Sequence, residues 1–220
     1  TTTTRLLATI LERATGRRPA SNRSGANLSQ GIVAALLHGR SLAAGPSPAV
    51  LEVDELAFPN VTAALRPDVV VILNLVRDQL DRYGEVDAVE RRWVEAIRSL
   101  PPETTIVACA DDPRLASILS GLPRPVRWFG LAGEGRLAAG RERAPDGPIS
   151  IVAVQAPCPR CRGATDVDDA STSRGVWRCT SCGYHRPAPE LAVRYEETDD
   201  GSLRLDFQLM SATASDLTPG

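Results

Sequence analysis

Lysine is missing altogether, and all 25 basic residues are arginine. Within these residues no lysine chemistry is available, including a lysine that neutralises a bound phosphate. Aromatic residues are scarce, at 4%, which is poor material for a surface that stacks bases. Net charge is also scarce, at -2, so no global field draws the chain to nucleic acid or anionic lipid. No apolar run approaches the roughly 20 residues that a membrane-spanning helix needs. No charged-then-apolar leader is visible, so no signal peptide is expected and the expected setting is cytoplasmic; the short apolar runs and low net charge leave no membrane span and no nucleic-acid partner expected.

What is present is a core. A hydrophobic fraction of 43% over 220 residues fits one large domain, or a domain with a small module. Four short apolar runs read as buried strands: AVLEV (49–53), VVVILNL (69–75), TTIVACA (104–110) and VRWF (126–129). Helical stretches at 27–38, 57–65, 86–99 and 112–120 lie between and around them. Continuous apolar strands alternating with helices predict an α/β fold, with a parallel sheet covered on both faces. Ligands bind beyond the carboxyl ends of such strands. The residues to watch are therefore Asp54 and Glu55, then Arg77 to Asp81, then Asp111 and Asp112. Residues 131–150 are rich in Gly, Ala, Arg and Pro and read as a linker. LAVRYEETDDGSLRLDFQL (191–209) alternates around a DDG turn and reads as a hairpin.

The chain opens TTTTRLLATILERATG. Leu6, Leu7, Ile10, Leu11 and Ala14 share one face at helical spacing, and Gly16 is a stop signal. Thr is a weak helix former, and one hydroxyl suffices for a cap. Two readings stand on the residues alone. One is a capped helix with polar leader residues. The other is the anion-binding start of a P-loop helix, whose hydroxyl reaches Mg²⁺. Glu52, near the carboxyl end of an expected strand, suits the Mg²⁺-holding carboxylate of the second reading.

Four of the five cysteines lie in CPRC (158–161) and CTSC (179–182). Two C-x-x-C knuckles at this separation fit a zinc ribbon, with Cys158, Cys161, Cys179 and Cys182 completing a tetrahedron around structural Zn²⁺. Gly183 and Tyr184 suit the tight turn of a knuckle. Disulfides do not suit a chain with no export signal. A redox pair would open a helix after a strand, and two copies in a Pro/Gly setting do not. Cys109, ending an apolar strand, reads as a small buried hydrophobe. Ribbons also bind nucleic acid, but residues 156–190 set five arginines against four acids, with only Trp177 and Tyr184 to stack.

TTTTRLL (1–7), NRSGANLSQGI (22–32), LEVDE (51–55), LNLVRDQLDRYGE (73–85), ADDP (110–113) and the paired CPRC and CTSCGY together resemble the MurT family. These are the Mur-ligase-like subunits of the enzyme that amidates the peptidoglycan precursor lipid II. RDQLDRYGE and the ribbon carry the resemblance most specifically. It implies a central, P-loop NTPase-like ATP-binding domain of Mur ligase type with an inserted zinc ribbon. The expected organisation is an ATP-binding part at 1–130, a linker at 131–150, the ribbon at 151–190, and a hairpin at 191–220 returning to the central domain. In the family a Gly-Thr-Asn-Gly-Lys stretch immediately precedes the threonines. The chain is thus expected to be a fragment that starts one residue after the P-loop lysine and to bind ATP weakly by itself.

The resemblance further implies ATP and Mg²⁺ as cofactors. It implies phosphorylation of the D-glutamate α-carboxylate of lipid II, then attack by ammonia from a partner glutaminase of the GatD type, at the inner face of the membrane. Thr1 and Thr2 match the P-loop threonines, and Glu52 matches the Mg²⁺ glutamate. Asn74, Arg77, Asp78 and Asp81 fall in the family's central signature and should face nucleotide or acceptor. Asp111 and Asp112 match a segment near the base. Cys109 stands where the family usually has Asn, which puts an adenine contact there in doubt. The catalytic residue that helps ammonia attack is expected in a C-terminal domain. Mur ligases that join amino acids use a modified lysine, so its absence here agrees with ammonia as nucleophile.

Structural roles compete at several of these positions. Asp54 and Glu55 could cap the helix near 57–65. Asp112 before Pro113 is a good helix N-cap. Arg77 and Asp81, four apart, could form a surface ion pair of about 0.3–0.5 kcal/mol. His38 reads as a helix C-terminus residue, and Arg91, Arg92 and Glu95 as a solvated face. The competing function class is a non-catalytic zinc-ribbon or P-loop-like binding module.

Overall fold

The computed structural model describes residues 2–22, 26–39, 48–73, 86–132, 158, 160–167, 177–197 and 203–210. Two compact units emerge. One holds the chain up to Pro67 together with the segment that ends at Pro101; the other holds Asp68 onward and everything from Pro102.

The first unit is helical. α1 (Thr2–Thr15) closes at Gly16, whose φ of 67 and N–H to the Glu12 carbonyl end it as a left-handed cap. Its inward side is Leu7, Ala8 and Leu11, while Leu6, Ile10 and Ala14 are exposed. The apolar stripe is therefore turned by part of its width from the expected face, because periodicity fixes a stripe's direction along the helix but not which edge meets the core. α2 (Ser29–Gly39) carries His38 in its last turn, with Nδ1 against the Ala34 carbonyl. α3 (Phe58–Leu65) has Pro59 in its first turn and the left-handed Arg66 at its end. α4 (Val86–Arg98) presents Arg91, Arg92 and Glu95 to solvent, as expected. Ile32, Ala57 and Val61 form one core cluster with Leu36, Leu51 and Val53 against it. The Phe58 and Trp93 rings pack tilted, 5.1 Å between centroids, and the Trp93 indole N–H donates to the Glu55 carbonyl.

Two expectations fail in this unit. Residues 49–53 form no strand: a single parallel bridge joins Ala20 to Ala49. At Glu52 the ladder partner is a side chain. Asn22 Oδ1 accepts the Glu52 N–H at 2.9 Å, and its Nδ2 donates to the Glu52 carbonyl at 2.7 Å. Neither Asp54 nor Glu55 caps α3, which has no side-chain cap at all. Asp54 instead accepts the Leu56 N–H and makes the turn that precedes the helix.

The second unit is a mixed, mostly parallel sheet in the order Val69–Ile72, Thr105–Cys109, Val126–Leu131, Leu191–Glu197, Leu203–Leu209. β1 (Val69–Ile72), β2 (Thr105–Cys109), β3 (Val126–Leu131) and β6 (Leu191–Glu197) run parallel. β7 (Leu203–Leu209) closes the edge antiparallel, with Leu191 opposite Leu209. The expected hairpin is thus β6–β7, and it lies in the main sheet. α5 (Pro113–Ser120) packs Leu115, Ala116 and Leu119 into the core beside Ile106, Ala108 and Ala110. Asp112 is its N-cap, accepting the Arg114 and Leu115 N–H groups at 2.8 and 3.2 Å with Pro113 in the first turn. A second, two-stranded sheet pairs β4 (Thr165–Val167) with β5 (Trp177–Cys179). It is inserted in the chain between β3 and β6. Parallel neighbours need a long crossover, and here that crossover carries the cysteines.

Candidate functional site

The two knuckles repeat one pattern of hydrogen bonds. The residue after the second cysteine takes positive φ, 63 at Arg162 and 72 at Gly183. Its N–H returns to the carbonyl of the first cysteine, Cys158 or Cys179. The first cysteine's own N–H donates one residue further on, to Gly163 or Tyr184. This folds each C-x-x-C tightly enough to bring both thiols to one side. The four sulfurs lie within 4.8 Å of one another, and none is in a disulfide. Cys158 and Cys182 approach to 3.7 Å, Cys161 and Cys179 to 3.5 Å. The Cys182 and Ser181 N–H groups point at Cys179 Sγ. Through the Cys182 N–H above all, they pull that thiol down to about 6, against the opposing effect of burial. Four converging thiols with backbone donors aimed at one sulfur are the donor set of a closed tetrahedral site for a soft metal ion.

Behind the sulfurs, Trp177, Tyr184, Cys158 and Cys179 pack with Ala116 of α5 and with Trp128. Trp177 and Tyr184 are buried, so neither is free to stack on a base as their sequence setting allowed. Their polar ends are spoken for. The Trp177 indole N–H donates to the Ala110 carbonyl at 3.0 Å, and Tyr184 Oη meets Ser120 Oγ at 3.1 Å. Arg160 lies over the Tyr184 ring at 4.1 Å.

From the same module comes Arg186. Its Nη2 forms a buried ion pair with Asp111 Oδ1 and donates to the Leu131 carbonyl at 2.7 Å. Asp111 Oδ2 in turn accepts the Leu131 N–H at 2.9 Å. Gly130 is required beside them, because a Cβ there would strike both the Arg186 and the Asp111 side chains. Burial pushes the Asp111 carboxyl up, and Arg186 opposes that shift. The carboxylate expected near a nucleotide base is therefore held by Arg186 and the Leu131 backbone, at the carboxyl end of β2.

The other expected residues are placed as follows. Thr2 is the exposed first residue of α1. Glu52 is half-buried, its backbone held on both sides by Asn22, whose Nδ2 also donates to the Ala26 carbonyl. Thr2 and Glu52 belong to the first compact unit and Asp111 to the second. Thr1, Asn74, Arg77, Asp78 and Asp81 lie outside the described residues. Cys109 is buried, as expected, and its thiol is pushed up to about 11 by burial first and by Asp111 next. Two residues escaped the sequence reading. In the sequence Asn22 falls inside a motif with no role of its own, and Arg186 is one of five arginines balanced by four acids. Neither long-range role carries a local signal, since Asn22 holds the Glu52 backbone 30 residues on and Arg186 holds the Leu131 carbonyl 55 residues back and Asp111 further still.

No helix among the described residues is long and apolar enough to cross a membrane. Comparison with known proteins gives concordant results. The MurT subunit of lipid II isoglutaminyl synthase (glutamine-hydrolyzing) from Streptococcus pneumoniae is 31% identical over 188 residues, 85% of this chain and 39% of that protein. The MurT subunit from Staphylococcus aureus (strain COL) is 28% identical over 196 residues, 88% of this chain and 41% of that protein. A UDP-N-acetylmuramate--L-alanine ligase from Solidesulfovibrio magneticus is 34% identical over 137 residues, 62% of this chain and 28% of that protein. The chain thus spans about two fifths of the length of the MurT relatives. The Mur ligase middle domain matches residues 1–147, more than half of the chain, and the chain belongs to that family.

Proposed function

We propose that this chain is the ATP-binding part of a carbon–nitrogen ligase. Its reaction is amidation of the D-glutamate α-carboxylate of lipid II to D-isoglutamine, using ammonia from a partner glutaminase of the GatD type. One observation carries the choice within the family. The match to the pneumococcal MurT subunit runs over 188 residues, 85% of this chain, whereas alanine-adding relatives match over 137 or 158 residues, 62 or 70% of it.

The residues fit the groups this reaction needs. Four converging thiols suit structural Zn²⁺, whose closed coordination supplies shape rather than chemistry. Glu52, with its backbone pinned by Asn22, would hold Mg²⁺ together with Thr1, and Thr2 sits where free helix N–H groups favour a phosphate. ATP with Mg²⁺ supplies the phosphoryl group that activates the carboxylate as an acyl phosphate. The task left to the protein is positioning and charge stabilisation, not covalent catalysis. Asn74, Arg77 and Asp78 are assigned to the nucleotide or acceptor side on the resemblance. Activity is assigned to the inner face of the membrane, where lipid II is reached from the cytoplasm.

The test is amidation of lipid II by the full-length polypeptide with its glutaminase, ATP and glutamine, followed by mass spectrometry. The expected product carries an amide in place of one carboxyl. Glu52→Ala should abolish it while the fold and the metal content stay as they were. Lipid II recovered unchanged from the wild-type reaction would refute the assignment.

A further inference from the structure

The metal knuckles are built into the turn that follows β2. Trp177 and Arg186 join them. The Trp177 indole N–H holds the Ala110 carbonyl, Arg186 holds Asp111 and the Leu131 carbonyl, and Asp111 completes the triangle by accepting the Leu131 N–H. Both contributing residues are tied to the metal ligands by the chain. Trp177 is two residues before Cys179 in β5, and the Arg186 N–H donates to the Trp177 carbonyl. The Arg186 and Asp111 side chains are 8% and 7% exposed, so water does not substitute for either partner. A charge this deeply buried holds its geometry only while its partner stays in place. Ala110–Asp112 is also the carboxyl-end turn of a central parallel strand, the place where open α/β sheets take their ligands.

We propose that Arg186 is a positioning residue through which the metal knuckles set the Ala110–Asp112 turn, so that nucleotide affinity depends on the metal. The ribbon is then coupled to that turn and is not an independent module. This rests on the reading that the carboxyl end of the sheet takes ATP.

The experiment uses the full-length polypeptide as wild type, Arg186→Ala, Arg186→Lys, Cys161→Ser and the Arg186→Ala/Cys161→Ser double variant. Zinc content, ATP Kd, and KM and kcat for ATP are measured on each. Arg186→Ala is expected to keep its metal, with Kd and KM raised about tenfold and kcat within about twofold. Arg186→Lys keeps the charge without the fork, and should recover part of the loss. Cys161→Ser should lose the metal and weaken ATP by a similar factor, and the double variant should be no weaker than either single one. Should Cys161→Ser not fold, chelator-stripped wild type takes its place. Wild-type ATP affinity in metal-loaded Arg186→Ala, or additive effects in the double variant, would overturn the proposal. A wild type that binds no ATP overturns the ATP reading and the nucleotide half of this one. The coupling itself is then decided by hydrogen exchange at Ala110–Asp112. Metal removal should accelerate that exchange in wild type and add nothing in Arg186→Ala. Exchange indifferent to the metal overturns it.

Discussion

Cys109 sits at the end of β2 with its thiol pushed up to about 11, chiefly by burial. At pH 8 the reactive thiolate is then about one part in a thousand. Iodoacetamide is expected to leave Cys109 unmodified in the native, metal-loaded protein and to label it once denatured; peptide mass spectrometry after timed quenching reads this directly. Labelling of Cys109 at the rate of a free exposed thiol would mean that β2 is open at its carboxyl end. Single residues were legible in the sequence where their partner is close in the chain. Asp112 was readable as a cap because the N–H groups it accepts are two and three residues on. The expected Asp54 and Glu55 caps do not form, because the same residue types that cap helices also make turns. Asn22 and Arg186 were not readable, since what each holds lies far along the chain.

Among the elements, α5 and the two knuckles rest on local chemistry that can be tested by substitution. Asp112→Ala removes the side-chain acceptor for two N–H groups of α5 and should cost about 1 kcal/mol in urea unfolding. A loss indistinguishable from zero would mean that Pro113 and packing alone start the helix. Arg162 occupies a left-handed position that Gly183 fills in the second knuckle. Arg162→Gly relieves that strain at some cost in unfolded-chain entropy, so stability should be unchanged or raised by up to about 1 kcal/mol. The variant should still bind one equivalent of metal, and weaker metal retention would show that the Arg162 side chain matters. Parallel strands, crossover helices and knuckles were legible because each carries its own period or spacing. Segment 49–53 has the composition of a strand but not its partner: the Asn22 side chain occupies the place of a neighbouring backbone. Composition cannot report that substitution.

For the whole molecule, the sheet order was not legible at all. Alternating strands and helices imply parallel pairing, but nothing local says that β6 lies against β3 across the inserted module. That pairing makes the hairpin part of the main sheet. Chelating the metal is therefore expected to reach beyond the ribbon. Hydrogen exchange should rise in β5, at Ala110–Asp112 and at Gly130–Leu131, and α3, with its own Phe58 and Trp93 core, should keep its protection. Loss confined to the knuckles would show that the ribbon hangs freely from the sheet.

The insertion also bears on how fast the sheet can be completed. Bringing β6 beside β3 means closing a loop of about 60 residues, and a metal joining Cys158 to Cys182 bypasses about 24 of them, which at (3/2)RT ln n saves only about 0.5 kcal/mol of closure entropy. Refolding in the presence of zinc should therefore run at most about twofold faster through the step that seats β6. The ion's larger effect is expected in the unfolding rate, because the contacts of Trp177 with Ala110 and of Arg186 with Asp111, which it would support, have to break before the module can leave the β2 turn.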